Sequence, residues 1–242
     1  MNRPASMLMT FATALALTAC GGSGSTDPGG NGGGGGGGDG GDGGGDDGGA
    51  EPAAIAVVSG DGQSAKTQKP LGAPFVVEVT DADGAPVSDV TVSWTVVSGP
   101  GSVSPTSSNT DAQGEASATF SGGTTLGSST IEAAVSGVSG TAEFAVETST
   151  LVIRMQNIAF IAPGGSDAVT VPLGTTIEWE NFDDVQHTAT STDTPSDGSS
   201  FDSNLIGSGG TFSFTPDATG TWTYFCEVHP TQMVDATITV TS

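Results

Sequence analysis

The chain has 242 residues and a net charge of -23, from 4 Lys+Arg against 27 Asp+Glu. A surface this acidic is repelled by nucleic acid and by anionic membrane surfaces, so any partner steered by charge should be basic. The length leaves room for one or two ordinary domains.

At the N-terminus, Arg3 precedes the apolar run "MLMTFATALAL" (7–17), and together they read as a signal peptide over 1–19. The run is shorter than the roughly 20 residues that a permanent transmembrane helix needs. It closes on Leu17-Thr18-Ala19-Cys20, which resembles a bacterial lipobox. That resemblance implies lipidation at Cys20 and an exported protein anchored to a bacterial membrane, at the periplasmic face or the cell surface. Gly21 follows the cysteine where an aspartate would signal inner-membrane retention, which favours the outer membrane. The stretch 20–51 is then predicted to be a disordered tether. It is rich in glycine and aspartate and carries no large apolar side chain with which to offset its ordering entropy. A flexible coil of that length spans roughly 30 Å end to end. With Cys20 lipidated, Cys226 is the one remaining thiol, so a disulfide within the mature chain is excluded. A lone thiol in an oxidising compartment is a liability unless something, such as a metal, occupies it.

From residue 52 onward Val, Thr, Ser and Gly dominate, and no window sustains a period of 3.6. Short alternating runs ("PFVVEVTDADG", "VTVSWTVVSGPG", "EASATFSGG", "STIEAAVSG") end in turn signals about every ten residues, which predicts an all-β sandwich. Asp83-Gly84 marks a tight turn. Residues 52–148 resemble a bacterial Ig-like domain of the group found in invasin and intimin stalks, through "VTDADGAPVSDVTVSWTVVSGPGSVSP" and "TDAQGEASATF". The resemblance implies a rigid spacer or an adhesion module.

A break is expected at "VETST" (146–150), opening a second set of strands over 149–242. In "TIEWE" Ile177 and Trp179 take one parity, with Glu178 and Glu180 on the other; Trp222, Tyr224 and Cys226 share a side, as do Ala236, Ile238 and Val240. This period of two predicts half-buried strands with polar residues outward. Cys226 ends the strand "TWTYFC", His229 and Met233 lie in the loop after it, and His187 lies past the end of the strand carrying Trp179. All four side chains are predicted to meet on one rim of the sandwich. His, Cys and His with a weak Met form the ligand set of a trigonal copper site with a long axial thioether. A tetrahedral zinc site is the rival, although thioether is a poor zinc ligand.

The segment resembles the cupredoxins, the plastocyanin and azurin group of blue copper proteins. The resemblance rests on Trp179-x-Asn181, His187-Thr188, Tyr224-Phe225-Cys226-x-x-His229-Pro230, Met233 and the closing "ITV". It implies a Greek-key β-sandwich holding one type 1 copper, with His187, Cys226 and His229 as close ligands and Met233 axial. The three residues between His229 and Met233 leave Gln232 open as an axial oxygen donor. Val228 replaces the proline common before the second histidine, and Glu227, if aimed at the metal, would favour Cu(II). The implied function is one-electron transfer through His229, with a redox partner protein such as a basic c-type cytochrome. Copper storage, delivery or tolerance is the alternative. An enzyme is not expected, since no histidine is left over for a second copper centre or a triad base.

Overall fold

The computed structural model describes residues 50–242. The expected signal peptide, Cys20 and all but the last two residues of the expected tether lie outside the described residues. Among the described residues there is no helix, and the chain is all-β as expected. The first nine strands are β1 (Ala54–Ser59), β2 (Gln63–Lys66), β3 (Phe75–Thr80), β4 (Thr91–Ser98), β5 (Gly101–Ser104), β6 (Ser107–Asn109), β7 (Glu115–Gly122), β8 (Gly127–Val135) and β9 (Ala142–Met155). Seven more follow: β10 (Phe160–Ile161), β11 (Ala168–Pro172), β12 (Thr176–Asn181), β13 (Thr190–Asp193), β14 (Thr211–Phe214), β15 (Gly220–Phe225) and β16 (Ala236–Thr241).

Alternation builds the first sandwich. In β3 the side chains of Phe75, Val77 and Val79 are fully buried while their neighbours are half-buried, and β7 and β8 alternate in the same way. One sheet runs β1-β3-β7-β5, and it faces β9-β8-β4-β6. Between them Phe75 stacks on Phe144 at 4.5 Å, and Trp94 lies 6.0 Å from Phe144. The Asp83-Gly84 turn forms as read: Gly84 has φ 82°, and Asp81 N–H bonds the Ala85 carbonyl. In the second sandwich β9, β12 and β14 face the sheet β11-β16-β15-β13. Its core holds Trp179, Trp222, Tyr224, Ile177, Ile238 and Met155, all essentially inaccessible.

At residues 146–150, where one domain was expected to give way to the next, the chain is not interrupted: Val146–Thr150 lies inside the fourteen-residue strand β9, which belongs to both sandwiches. Its first half pairs with β8 and β2, and its second half pairs in parallel with β12. One eight-stranded sheet therefore runs through both domains. The buried positions switch from even (Ala142, Phe144, Val146, Thr148) to odd (Leu151, Ile153, Met155) where the pairing with β2 slips between Ala65 and Lys66. A bulge of this kind lets one strand serve two cores, because an extra residue resets which side chains face inward.

The outward face expected for Glu178 and Glu180 is also corrected. The segment Lys66–Lys69 of the first sandwich lies against β12. Lys66 Nζ donates to both Glu178 oxygens at 2.6 and 2.8 Å, and Lys69 Nζ pairs with Glu180 at 2.5 Å. Glu178 is buried as a result. Thr67, itself fully buried, donates its N–H to Thr150 O and accepts the Val152 N–H on its hydroxyl at 2.8 Å. Lys69 and Arg154 both sit over the ring of Phe182, at 4.9 and 4.6 Å. Gly122 permits this approach, since a Cβ there would come within 2.2 Å of the Lys66 carbonyl. All three cations among the described residues, Lys66, Lys69 and Arg154, stand at this junction.

Candidate metal centre

Two segments supply the centre, and each is held by backbone bonds before any side chain is considered. β15 ends at Phe225, so Cys226 is the first residue past a central strand whose inward side carries Trp222 and Tyr224. The loop after it is closed on itself: Cys226 N–H bonds Met233 O at 2.9 Å, His229 N–H bonds Cys226 O, and Met233 N–H bonds His229 O at 3.0 Å. The other segment leaves β12 at Asn181. That buried amide donates to Val185 O at 2.7 Å and Ile206 O at 2.9 Å and accepts the Asp183 N–H at 2.8 Å. His187 is further fixed by reciprocal backbone bonds with Ile206. Asn181 thus ties the loop to its neighbour as a satisfied buried polar group does.

The donor atoms meet. Cys226 Sγ lies 3.8 Å from His187 Nδ1 and 3.7 Å from His229 Nδ1, and the three ligand atoms fall within 4.8 Å of one another. His187 and Cys226 are fully buried, whereas His229 is half-buried. The Thr188 N–H donates to Cys226 Sγ at 3.2 Å, and Glu227 N–H bonds the Thr188 hydroxyl, joining the two segments directly. Met233 is 1% exposed and packs in the same core. Gln232 is exposed, its side-chain oxygen accepting from the Thr231 hydroxyl, and Glu227 is exposed as well.

Sequence reasoning did not anticipate Asp183. Its Oδ2 lies 2.9 Å from His187 Nε2, the ring nitrogen remote from Cys226. An ionised carboxylate only accepts, so Nε2 carries the proton and Nδ1 presents its lone pair toward the sulfur. Burial by itself would raise the carboxyl of Asp183. The amides of Ile158 and Asn157 and the His187 ring outweigh that and hold it below the usual aspartate value. The available signal was the Asp four residues ahead of the histidine in "NFDDVQH".

Residues 165–241 match the family model for copper binding proteins of the plastocyanin/azurin family, and residues 60–147 match that for the bacterial Ig-like domain (group 1). The chain therefore carries an Ig-like domain of that group followed by a plastocyanin/azurin-type copper domain. Among solved structures it is similar to a methionine-to-alanine variant of amicyanin in the Cu(I) form, at 17% identity over 38% of this chain and 82% of that one, TM-score 0.33. An oxidised proline-to-alanine variant of amicyanin gives 17% identity over 38% and 83%, TM-score 0.33. The D00-D0 domain of intimin gives 23% identity over 39% of this chain and 46% of that one, TM-score 0.31. A search of curated proteins found no match.

The donors fit one copper ion. With zinc's bond lengths as a guide, about 2.3 Å to sulfur and 2.0–2.1 Å to nitrogen, angles between tetrahedral and trigonal place the sulfur and nitrogen donors of a single ion about 3.6–3.8 Å apart. The observed spacings are 3.7 and 3.8 Å. A soft thiolate with two imidazoles is the donor chemistry suited to copper in both oxidation states.

Proposed function

We propose that this is an exported, lipid-anchored type 1 copper protein that carries single electrons. His187, Cys226 and His229 act as the close ligands and Met233 as the axial one. The observation that carries the reading is the convergence of Cys226 Sγ and two imidazole Nδ1 atoms from separate segments at single-ion spacing. Bound copper supplies a one-electron couple; the chain supplies the frame. Cys226, His187 and Met233 are buried in a closed scaffold, so the donors have little room to rearrange between oxidation states. The exposure of Gln232 favours Met233 as the axial donor.

His229 is the one close ligand that reaches the surface, flanked by the exposed Val228, Pro230 and Val234, and this makes it the exit for the electron. The nearby exposed charges, Asp184, Asp202, Glu227 and Asp235, are all acidic. With every described cation drawn to the domain junction, the partner that fits is a basic redox protein, such as a c-type cytochrome. Enzymatic turnover is not part of this reading, because both histidines of the chain stand in the one site.

The test is the visible spectrum of the Cu(II)-loaded protein, followed through reduction, reoxidation and mixing with a reduced c-type cytochrome. An intense thiolate-to-copper band that bleaches on reduction and returns is expected. A copper protein that delivers its metal to an apo-acceptor yet exchanges no electrons would be a storage or delivery protein instead. A colourless, zinc-holding protein would remove the reading.

The anchor is tested separately. Cells producing the full chain should incorporate labelled fatty acid into it, and Cys20→Ala should abolish the label and release the protein from the membrane fraction. Equal labelling of the two would end the lipoprotein assignment.

A further inference from the structure

The turn that joins β9 to β10 is built in an unfavourable conformation. Gln156 N–H bonds Ala159 O at 3.0 Å, and the two central residues, Asn157 and Ile158, have φ of 55° and 56°. Asparagine tolerates the left-handed region; isoleucine, branched at Cβ, is an outlier there. Ile158 is 38% exposed, so burial of its side chain does not explain the placement. Strain of this kind persists where surrounding structure over-determines it, and it gathers at functional sites.

The twisted turn aims two successive amides at one carboxylate. Asn157 N–H donates to Asp183 Oδ1 at 2.8 Å, and Ile158 N–H donates to Oδ2 at 3.0 Å. The same Oδ2 takes the His187 Nε2 proton. The turn is held in its turn by the pairing of Phe160 and Ile161 with Met155 and Arg154 at the end of β9. Asp183 is thereby fixed at both oxygens on one side and by Asn181 through its own N–H. It cannot swing away from the histidine without breaking three bonds.

We propose that Asp183, gripped by the Asn157–Ile158 turn, is a positioning residue for the metal centre. It locks His187 in the Nε2–H tautomer with Nδ1 turned to the ion, and its fixed negative charge favours the more highly charged oxidised metal over the reduced one. The orientation half stands on the protein alone, while the charge half rests on the copper reading above. Outer partners of this kind orient a ligating imidazole and raise its basicity, and their loss typically weakens metal affinity about 10–100-fold.

The experiment has two arms, and their failures are separable. In the metal-free protein, nitrogen NMR of the His187 ring is expected to show a single Nε2–H tautomer, which becomes mixed in Asp183→Ala. In the copper-loaded protein, Cu(II) and Cu(I) affinities are measured by competition. Asp183→Asn is expected to weaken Cu(II) about tenfold relative to Cu(I), which raises the potential by about 59 mV for a one-electron couple. A metal-free His187 that is already a tautomer mixture would overturn the orientation half. An unchanged Cu(II)/Cu(I) ratio in Asp183→Asn would overturn the charge half. Should the protein bind no copper, the proposed function falls, and the NMR arm still decides the positioning role. If Asp183→Ala does not fold, the tautomer of the metal-free wild-type protein alone decides the orientation half, because the amide oxygen of Asp183→Asn can still accept the Nε2 proton.

Discussion

Cys226→Ser should leave a folded, colourless protein. The thiolate, not the thiol, is the metal ligand, and a serine hydroxyl does not ionise at neutral pH to replace it. The intense visible band belongs to charge transfer from sulfur, so it should vanish outright rather than shift. The fold should survive because serine is slightly smaller and Cys226 already receives the Thr188 N–H, a bond that an oxygen can also accept. Burying a hydroxyl with a partner costs about 1 kcal/mol or less here. Cu(II) affinity should fall by about 100-fold or more, since losing an outer partner alone typically costs about 10–100-fold and here a close donor is removed. Absorption spectroscopy, circular dichroism and copper titration on the same sample read all three quantities. A serine variant that stayed blue would place the chromophore elsewhere and break the assignment.

The second large effect is expected at the domain junction. Lys66→Met strips the cation from Glu178, which remains covered by the Lys66–Lys69 segment. A buried charge left without a partner costs several kcal/mol. The Lys66 side chain is 48% exposed, so water softens the loss to about 2 kcal/mol. For a cooperative unit of this size that lowers the melting temperature by about 4–8 °C. Because β9 belongs to both sandwiches, calorimetry should show one transition that moves as a whole. Lys66→Met combined with Glu178→Gln should recover most of the loss, since the uncompensated charge is then gone. Two independent transitions, with only one displaced by Lys66→Met, would mean that the Ig-like domain is a detachable spacer after all.

That junction marks where the sequence stopped being legible. Period-two alternation identifies the individual strands: Ile177 and Trp179, or Trp222, Tyr224 and Cys226, are buried as their spacing implies. Alternation cannot say what covers the other face. Glu178 and Glu180 read as solvent-facing because carboxylates rarely lie buried without a partner, and their partners sit 112 and 111 positions earlier in the chain. The "VETST" segment reads as a break between two sets of strands for a related reason. Its Ser and Thr residues are poor in apolar content, yet as the middle of β9 they are paired on both sides and need no core of their own.

The metal centre divides along the same line. Cys226, His229 and Met233 lie within eight residues, and that short loop could be read for chemistry because soft and nitrogen donors are so scarce elsewhere. His187 could be added because both histidine segments follow strand ends. The composition and the two family patterns thus determined by themselves the all-β class, the two family resemblances and the gathering of His187, Cys226 and His229. Only the folded chain decided three further things. It fused the two sandwiches through one bulged strand, it buried Met233 while leaving Gln232 exposed, and it set Asp183 behind His187 by way of a strained turn. The physical reason is common to all three. Local spacing reports which face a side chain takes, whereas the identity of what meets that face depends on contacts between segments far apart in sequence, and these exist only once the sheet has formed.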